Sequence, residues 1–238
     1  MESEHLRPNQ VKARYDAWHK EIAVRITHQD VKYAKYILKL MNVKAGKNLL
    51  DIACGNGNFI RIANATGLQT YGIDISSTAL SKARVLTKDS ELILSSAEAL
   101  PFRTATFDYI TCLGSLEHFI HPSQALQELA RVIKPTGIAC ILVPNAYFIG
   151  HIYLVWRYGA IVDEGGQYFS ERFATREGWK RLIEDNGLEI LRIHKYNIIL
   201  GSKKVSRITK LFYNVFLAPF IPLNLSYAFI FVCKKKMR

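Results

Sequence analysis

Short apolar runs alternate with amphipathic segments along most of the chain, and this pattern predicts buried strands that alternate with helices. Strands and helices in alternation indicate βαβ units, and therefore a parallel sheet with helices on its faces. The apolar runs that predict strands are Asn48–Ala53, Thr70–Ile75, Leu92–Ser95, Phe107–Leu113, Ile138–Val143, Leu188–Ile193 and Ala228–Val232.

The segments between these runs have the apolar spacing of helices. Residues 10–41 predict a helical region at the N-terminus, and the sequence from Lys134 to Gly137 ends a helix that Pro122 begins. Residues 146–170 interrupt the alternation and are rich in aromatic and aliphatic side chains, which predicts an insertion or lid. The remaining predicted helices are Phe59–Thr66, Thr78–Leu86, Pro122–Ile133 and Thr175–Glu184.

Length and composition then set the class of protein. The chain has 238 residues, of which 49% are apolar and 22% are charged, so a disordered or collagen-like chain is excluded. We expect a single domain over residues 1–238, with residues 1–45 as an N-terminal helical cap. The four cysteines form no C-x-x-C pair and lie in apolar runs, which predicts buried free thiols in a reducing compartment. Because the N-terminus is polar, we expect no secretory signal peptide and a cytoplasmic protein.

A glycine-rich turn follows the first predicted strand, in the sequence from Leu49 to Phe59. Gly55 and Gly57 allow the backbone to approach a ligand closely, and the helix that follows offers free N–H groups. A dinucleotide-binding turn would have a third glycine, but Ile60 stands at that position. Asp51, on the strand itself, suits a ligand with an ammonium group better than one with phosphates.

The second predicted strand ends in an acid, Asp74. In a doubly wound sheet, a carboxylate at this point can accept both hydroxyl groups of a ribose. A ligand with a ribose and a cation, and no need of a phosphate cradle, is S-adenosylmethionine. The alternative is that Asp51 and Asp74 are only turn and cap carboxylates.

At these residues the chain resembles the class I S-adenosylmethionine-dependent methyltransferases, and within them the small-molecule branch that includes ubiquinone and menaquinone biosynthesis enzymes. The resemblance covers about residues 10–200 and implies an α/β, Rossmann-like fold: a seven-stranded, mostly parallel sheet with an antiparallel last strand and helices on both faces. The stretches that carry it are Leu49–Phe59, Tyr71–Ser76, Ala97–Phe102, Phe107–Ile110, Leu116–His118, Arg131–Pro135 and Pro144-Asn145.

The resemblance also implies the roles of individual residues in holding the donor. The methionine end would lie against Asp51, Gly55 and Gly57, and the ribose against Asp74. Where the family often has an aspartate that contacts the adenine amino group, this chain has Ser96, whose hydroxyl is a weaker partner than a carboxylate. The other residues expected to bind the donor are Ile75, Ala97 and Glu98 near the adenine, together with Leu113 and Tyr15.

Tyr15 and Trp18 form an aromatic pair on one face of the N-terminal helix. The resemblance implies that this segment lies over the donor and acceptor sites, where aromatic rings can attract a sulfonium. Ordinary packing of the helix against the core explains the pair equally well.

The candidate catalytic residue is His118, after the fourth predicted strand. A histidine with its ordinary pKa near ~6.5 could take a proton from a phenol or hydroxyl group at the mouth of the crevice. Alternatively, Glu117 and His118 only begin the next helix and shape the donor pocket. Some quinone O-methyltransferases bind a metal through Glu-x-x-Glu-His, but Gly114 stands at the first position here, so we expect no metal.

Positive charge is concentrated in the last fifth of the chain. Residues 190–238 contain ten basic and no acidic residues, whereas the net charge of the whole chain is +12. Residues 203–218 predict a basic amphipathic helix, which could rest on an anionic membrane or pack on the domain as an ordinary surface helix. The uncharged span from Leu211 to Cys233 is long enough to cross a bilayer, but Pro219 and Pro222 would break a single helix.

Three functions are compatible with these features. The first is methyl transfer to an oxygen, or as second choice a carbon, of a small apolar aromatic or lipid-like acceptor, favoured by the aromatic residues of the 146–170 insertion. The second is a nucleic-acid methyltransferase that uses its basic C-terminal region to contact phosphates. The third is a non-catalytic module that keeps the fold. The turn after the fourth strand lacks the N-P-P-Y-like sequence of amino-group methyltransferases, and this disfavours the second function.

Overall fold

A seven-stranded sheet forms the centre of the protein. The structure, a computed structural model, describes residues 8–21, 27–159, 172–197 and 217–237. The strand order is β3-β2-β1-β4-β5-β7-β6. The strands are β1 (Asn48–Ile52), β2 (Gln69–Asp74), β3 (Glu91–Leu94), β4 (Phe107–Leu113), β5 (Ile133–Pro144), β6 (Leu188–Tyr196) and β7 (Ala228–Lys235).

Strand directions match the fold class expected from the sequence. The first five strands pair in parallel, and the last strand, β7, runs antiparallel between β5 and β6. The carboxyl ends of β1, β2 and β4 therefore meet at one edge of the sheet, and β5 and β6 end at the same edge. Open α/β sheets bind their ligands at this edge, where the chain order of the strands reverses.

Seven helices in the described residues surround the sheet, and buried apolar side chains attach most of them to it. In α5, for example, Ala125, Leu126 and Leu129 are buried in the main core. The helices are α1 (Pro8–Glu21), α2 (His28–Leu40), α3 (Asn58–Asn64), α4 (Ser77–Leu86), α5 (Pro122–Val132), α6 (Ile149–Tyr158) and α7 (Arg176–Asp185).

Several polar residues in the stretches that carry the family resemblance hold this frame together. Asp108 accepts hydrogen bonds from the Asn48 amide (3.1 Å) and from Lys134 Nζ (2.8 Å), and so connects β4 to β1 and β5. Arg131 pairs with Glu128 at 2.7 Å and donates to the carbonyl of Phe102, which fixes the loop after β3. These residues are structural: their partners are backbone groups and ion pairs of the frame.

Three expectations differ from the structure or lie outside the described residues. The sequence from Lys134 to Gly137 does end α5, but it belongs to β5, because Ile133 already pairs with Phe107 before a shift in register. The predicted helix over 203–218 lies outside the described residues except for its last two positions, and a 3-10 turn covers Ala218–Phe220. The lid residues 160–170 lie outside them as well. No helix that the structure describes is both long and apolar enough to cross a membrane.

Candidate functional site

A cavity of about 660 Å³ opens at the carboxyl edge of the sheet, between the ends of β1, β2 and β4 and the helices α1 and α2. Its volume is in the usual range for a small-molecule site. The structure brings together here almost all of the residues expected to bind the donor, and also the candidate base. These lining residues are Tyr15, Asp51, Gly55, Asp74, Ile75, Ser96, Ala97, Glu98, Leu113 and His118.

The turn between β1 and α3 has three left-handed residues, Ala53, Gly55 and Gly57, with φ of 56°, 53° and 77°. Gly55 and Gly57 adopt this conformation at little cost, whereas Ala53 is strained. Gly57 differs from our expectation because it does not line the cavity. A Cβ atom at Gly57 would lie 3.0 Å from the Cβ of Ala83, so this glycine is needed for the close approach of α4.

Asp74 is buried at the end of β2, and both of its oxygens already accept a backbone hydrogen bond. The Gly55 amide donates to Oδ2 and the Ser76 amide donates to Oδ1, each at 2.8 Å. A carboxylate has about four acceptor positions, so two remain for a ligand with two adjacent hydroxyl groups. Burial raises the pKa of Asp74 in spite of these amides.

Asp51 is buried beside the turn and accepts a hydrogen bond of 2.6 Å from the hydroxyl of Thr111 on β4. Burial raises its pKa to about 7, although the bond from Thr111 opposes the shift. A buried carboxylate of this kind is stabilised by a cation that enters the cavity. The carboxylate of Asp51 and the acceptor positions of Asp74 fit the ammonium and ribose groups of S-adenosylmethionine.

Helix α1 covers one side of the cavity, and hydrogen bonds attach it to α4. Asp16 accepts hydrogen bonds from Ser76 Oγ (2.6 Å) and from the Thr78 amide (3.1 Å), while Lys82 Nζ donates to the carbonyl of His19. The ring of His19 lies over the glycine turn, with Nδ1 3.2 Å from Asn56 Oδ1. α1 therefore covers the end of the cavity where Asp51 and Asp74 lie.

His118 lies in a 3-10 turn after β4, and its ring centroid is 6.3 Å from that of Tyr15. Burial, assisted by the positive charge of Arg172, lowers the pKa of His118 to about 4. This differs from the value near neutrality that we expected, and it means that the imidazole is neutral at pH 7. Within the part of the chain that the structure describes, Nδ1 is buried and has no hydrogen-bond partner.

The loop that carries His118 is held from two sides. Arg172 donates to the carbonyls of Phe119 and Ile120, and the amide of Arg172 donates to the carbonyl of Glu117. On the other side, Glu98 Oε1 accepts from the His121 amide at 2.8 Å. Glu98 thus joins the loop after β3, expected to lie near the adenine, to the loop of the candidate base.

Ser96 stands at the position where the family often has an aspartate. Its hydroxyl lines the cavity and accepts a hydrogen bond of 3.2 Å from the Glu98 amide. The hydroxyl proton is left to donate, so Ser96 can give one hydrogen bond to a ring nitrogen but cannot act as a charged acceptor for an amino group.

The sequence did not single out several residues that line the cavity, among them His19, Tyr33, Asn58 and Phe119. His19 had no spacing pattern, and only the contact of α1 with the glycine turn brings it to the site. The described part of the predicted lid does not line the cavity: α6 is largely exposed to solvent. Among the described residues, no three His, Cys, Asp or Glu side chains are grouped so that they could hold a metal.

Comparison with known proteins identifies the family to which the chain is similar and agrees with the fold. Residues 50–141 match a family described as a methyltransferase domain. The demethylmenaquinone methyltransferase of Listeria monocytogenes is 34% identical over 200 residues, which cover 71% of this chain and 79% of that protein. A S-adenosylmethionine-dependent methyltransferase from Aquifex aeolicus superposes with a TM-score of 0.59 at 17% identity, over 97% of this chain and all of that one. The [4+2]-cyclase SpnF superposes with a TM-score of 0.65 at 18% identity, over 96% of both chains.

Proposed function

The chain belongs to the class I S-adenosylmethionine-dependent methyltransferases that act on small molecules, and from this membership we propose that its acceptor is an apolar, lipid-like aromatic molecule of the quinol class. The proposal rests on one observation, the division of the cavity into two ends. Around Asp51 and Asp74 the lining includes the polar groups of His19 and Asn56, whereas beside His118 it includes Phe119, Ile120 and the ring of Tyr15. The curated relative named above is a methyltransferase of demethylmenaquinone, which has the same chemical character.

We propose an oxygen of this acceptor as the atom that is methylated, and a ring carbon as the alternative. Removal of the phenol proton makes the oxygen a strong nucleophile, and the same charge is shared with the ring carbons. A base near the acceptor therefore serves both reactions. Identification of the methylated atom in the product by NMR distinguishes them.

Each group of the donor has a proposed partner in the cavity. Asp51 holds the ammonium group, the turn at Gly55 lies along the methionine end, and Asp74 holds the ribose hydroxyls. S-adenosylmethionine supplies the methyl group on a positively charged sulfur, and the leaving group is a neutral thioether that needs no acid. The protein therefore has two tasks, to align donor and acceptor and to remove a proton.

His118 is the group that we propose removes this proton. It is neutral at pH 7, because its pKa is lowered to about 4, and so it can accept a proton throughout the neutral range. The guanidinium of Arg172 is bound to the carbonyls of Phe119 and Ile120, and its positive charge favours a phenolate at the end of the cavity that these two residues line.

The experiment that tests the function is a transfer assay with radiolabelled donor and a panel of acceptors: hydroquinones with and without a prenyl chain, and total RNA. We expect label in the prenylated hydroquinones. Transfer to RNA alone would favour the nucleic-acid alternative, and it would also give binding that falls steeply with salt. If calorimetry detects no binding of S-adenosylmethionine at all, the protein is a non-catalytic module.

Replacing Asp74 with alanine should weaken donor binding by about 10- to 100-fold. Two ribose hydroxyls lose a charged acceptor, and a hydrogen bond to a charged group is worth roughly 1.5–3 kcal/mol. Calorimetry measures the dissociation constant directly. Asp89→Ala, at an exposed acid in the turn after α4, is the matched control and should bind the donor as the unmodified protein does. Equal affinity in the two variants would show that the ribose does not lie at Asp74.

Replacing Asp16 with alanine should increase the rate of donor dissociation by about tenfold. The change removes the two hydrogen bonds that fasten α1 to Ser76 and Thr78, each worth roughly 0.5–1.5 kcal/mol, so α1 opens more often. Stopped-flow displacement of bound donor measures this rate. Glu21→Ala changes an exposed acid on the same helix and should leave the rate unaltered. An unchanged rate in Asp16→Ala would mean that α1 does not control donor exit.

A further inference from the structure

An exposed apolar surface lies apart from the cavity, on α6 and on the segment before β7. Among the described residues, ten of the fifteen exposed large hydrophobic side chains belong to residues 147–156, 173 and 217–227. Two of them are the most exposed of all, with Trp156 at 78% and Phe220 at 80% of full exposure. Concentration of this kind marks an interaction surface rather than ordinary scatter. We call this surface the apolar face and define it by Tyr147, Ile152, Tyr153, Trp156, Leu217 and Phe220.

The two parts of the apolar face are held at the same edge of the sheet. Asn145, at the end of β5, donates through Nδ2 to the carbonyls of Asn224 (2.9 Å) and Ser226 (2.8 Å). The rings of Phe148 and Tyr227 lie 5.2 Å apart, edge to face. α6 and the segment before β7 therefore leave the sheet together, at the carboxyl edge where the donor cavity opens.

Contacts connect the apolar face to the loop of the proposed base. The ring of Phe173 lies 6.0 Å from that of His151 on α6. The neighbouring residue, Arg172, donates to the carbonyls of Phe119 and Ile120, which line the acceptor end of the cavity. A molecule that leaves the apolar face along this side meets the cavity next to His118.

The charge beside the apolar face is positive. Lys195 donates to the carbonyls of Pro219 and Ile221, and Arg157 is exposed at the end of α6. Residues 147–159 and 217–227, which carry the apolar face, contain no acidic residue. Exposed tryptophan and tyrosine beside basic residues suit the interface of an anionic bilayer, where the rings enter the headgroup region and the cations meet phosphates. A second copy of the chain would bring the same positive charge against itself.

We propose that the apolar face docks on an anionic lipid bilayer and turns the acceptor end of the cavity toward the membrane. The docking itself rests on the surface alone, and only its purpose, collection of a lipid-like acceptor, rests on the proposed function. Trp156 and Phe220 enter the interface, and the basic residues near them contact lipid phosphates. None of the six residues that define the apolar face lines the donor cavity.

The test uses the whole 238-residue chain and two kinds of vesicle. One is pure phosphatidylcholine, and the other also contains about 30% phosphatidylglycerol, roughly the anionic share of many membranes. We expect co-sedimentation with the anionic vesicles at low salt and a blue shift of tryptophan fluorescence. Brominated lipid should quench this emission. Trp156→Phe should lose most of the shift and the quenching, because Trp179 is buried and Trp18 is half-buried in the lining of the donor cavity.

A double variant, Trp156→Ser with Phe220→Ser, should bind anionic vesicles about tenfold more weakly or worse, since it removes the two most exposed rings. Val85→Ser, at an exposed apolar residue of α4, is the matched control and should bind as before. Unchanged donor affinity in the double variant shows that the protein is folded. This experiment contains no acceptor, so its result and that of the transfer assay are independent.

Three results would overturn the proposal. Absence of binding to anionic vesicles at low salt would show that the apolar face does not dock on a lipid bilayer. Equal binding of the double variant and the unmodified protein would show that another part of the surface contacts the membrane. Equal binding to neutral and anionic vesicles would show that the basic residues do not contribute to binding.

Discussion

Replacement of His118 by alanine should lower kcat by about 10²- to 10⁴-fold and leave donor affinity unchanged. General-base catalysis contributes a factor of this size, and His118 is the only histidine near the acceptor end of the cavity in the described part of the chain. Steady-state kinetics with a prenylated hydroquinone, together with calorimetry of the donor, separates the two effects. A loss of less than tenfold would mean that alignment alone carries the reaction.

The pH dependence provides a second check on the same residue. Because burial lowers the pKa of His118 to about 4, the imidazole is mostly neutral at every pH above that value. We therefore expect no loss of kcat from protonation of His118 between pH 8 and pH 5.5. An NMR titration of His118 with its midpoint near neutrality would contradict this. His121→Ala, at an exposed residue three positions further on, is the matched control and should retain activity.

Replacement of Asp51 by asparagine should weaken donor binding by about 100-fold. The variant keeps an oxygen that can accept the hydrogen bond from Thr111, but it loses the charge that faces the ammonium group. In the unmodified protein, donor affinity should rise severalfold between pH 6 and pH 7.5. Asp51, with its pKa at about 7, must lose a proton before it pairs with the cation. Asp51→Asn should lack this rise.

The same substitution should stabilise the donor-free protein at alkaline pH. Burial raises the pKa of Asp51 from 3.8 when exposed to about 7, so the unfolded chain gives up its proton first. The folded state therefore loses stability as the pH rises from about 4 to 7, by roughly 1.4 kcal/mol per pH unit, and the loss is complete above pH 7. Asparagine does not ionise, so Asp51→Asn should have the higher melting temperature at pH 8.

Thermal unfolding between pH 5 and pH 8 measures this difference. The gap between the variant and the unmodified protein should widen as the pH rises through the window and then remain constant. The exposed Asp89→Asn should show no such widening. A gap that is absent at pH 8 would mean that Asp51 is paired with a cation even without the donor. A variant that is more stable and yet binds the donor poorly would identify Asp51 as a residue kept for binding at the expense of stability.

Most of the fold could be predicted from the sequence, because the signals that mark the ends of strands and helices are local. Short apolar runs, the proline at the start of α5 and the glycine after α7 mark elements whose ends agree with the structure within one or two residues in most cases. β6 and β7 each end three residues later than predicted, and the largest exception is β5. Pro135 and Gly137 near the beginning of β5 predict the end of a helix, but they belong to the strand because pairing with β4 already begins at Ile133.

The same holds for the donor side of the site. Asp51, Gly55 and Asp74 could be found because in a parallel sheet the carboxyl ends of neighbouring strands meet at one edge. Strand order brings them to one cavity, and each residue stands beside a recognisable turn. Gly57 belongs to the same motif, yet its position is explained by the approach of α4, a contact that no local pattern reveals.

Tertiary packing alone decided the rest. His19 comes to the donor cavity because Asp16 attaches α1 to the start of α4, and Arg172 comes to the loop of His118 from more than fifty residues further along the chain. The pKa values of Asp51 and His118 depend on burial, which local sequence does not specify. The aromatic residues of segment 146–170 predicted a lid that covers the cavity. In the structure α6 turns many of them to solvent, because contacts between distant segments, and not the composition of a segment, determine which side of it is buried.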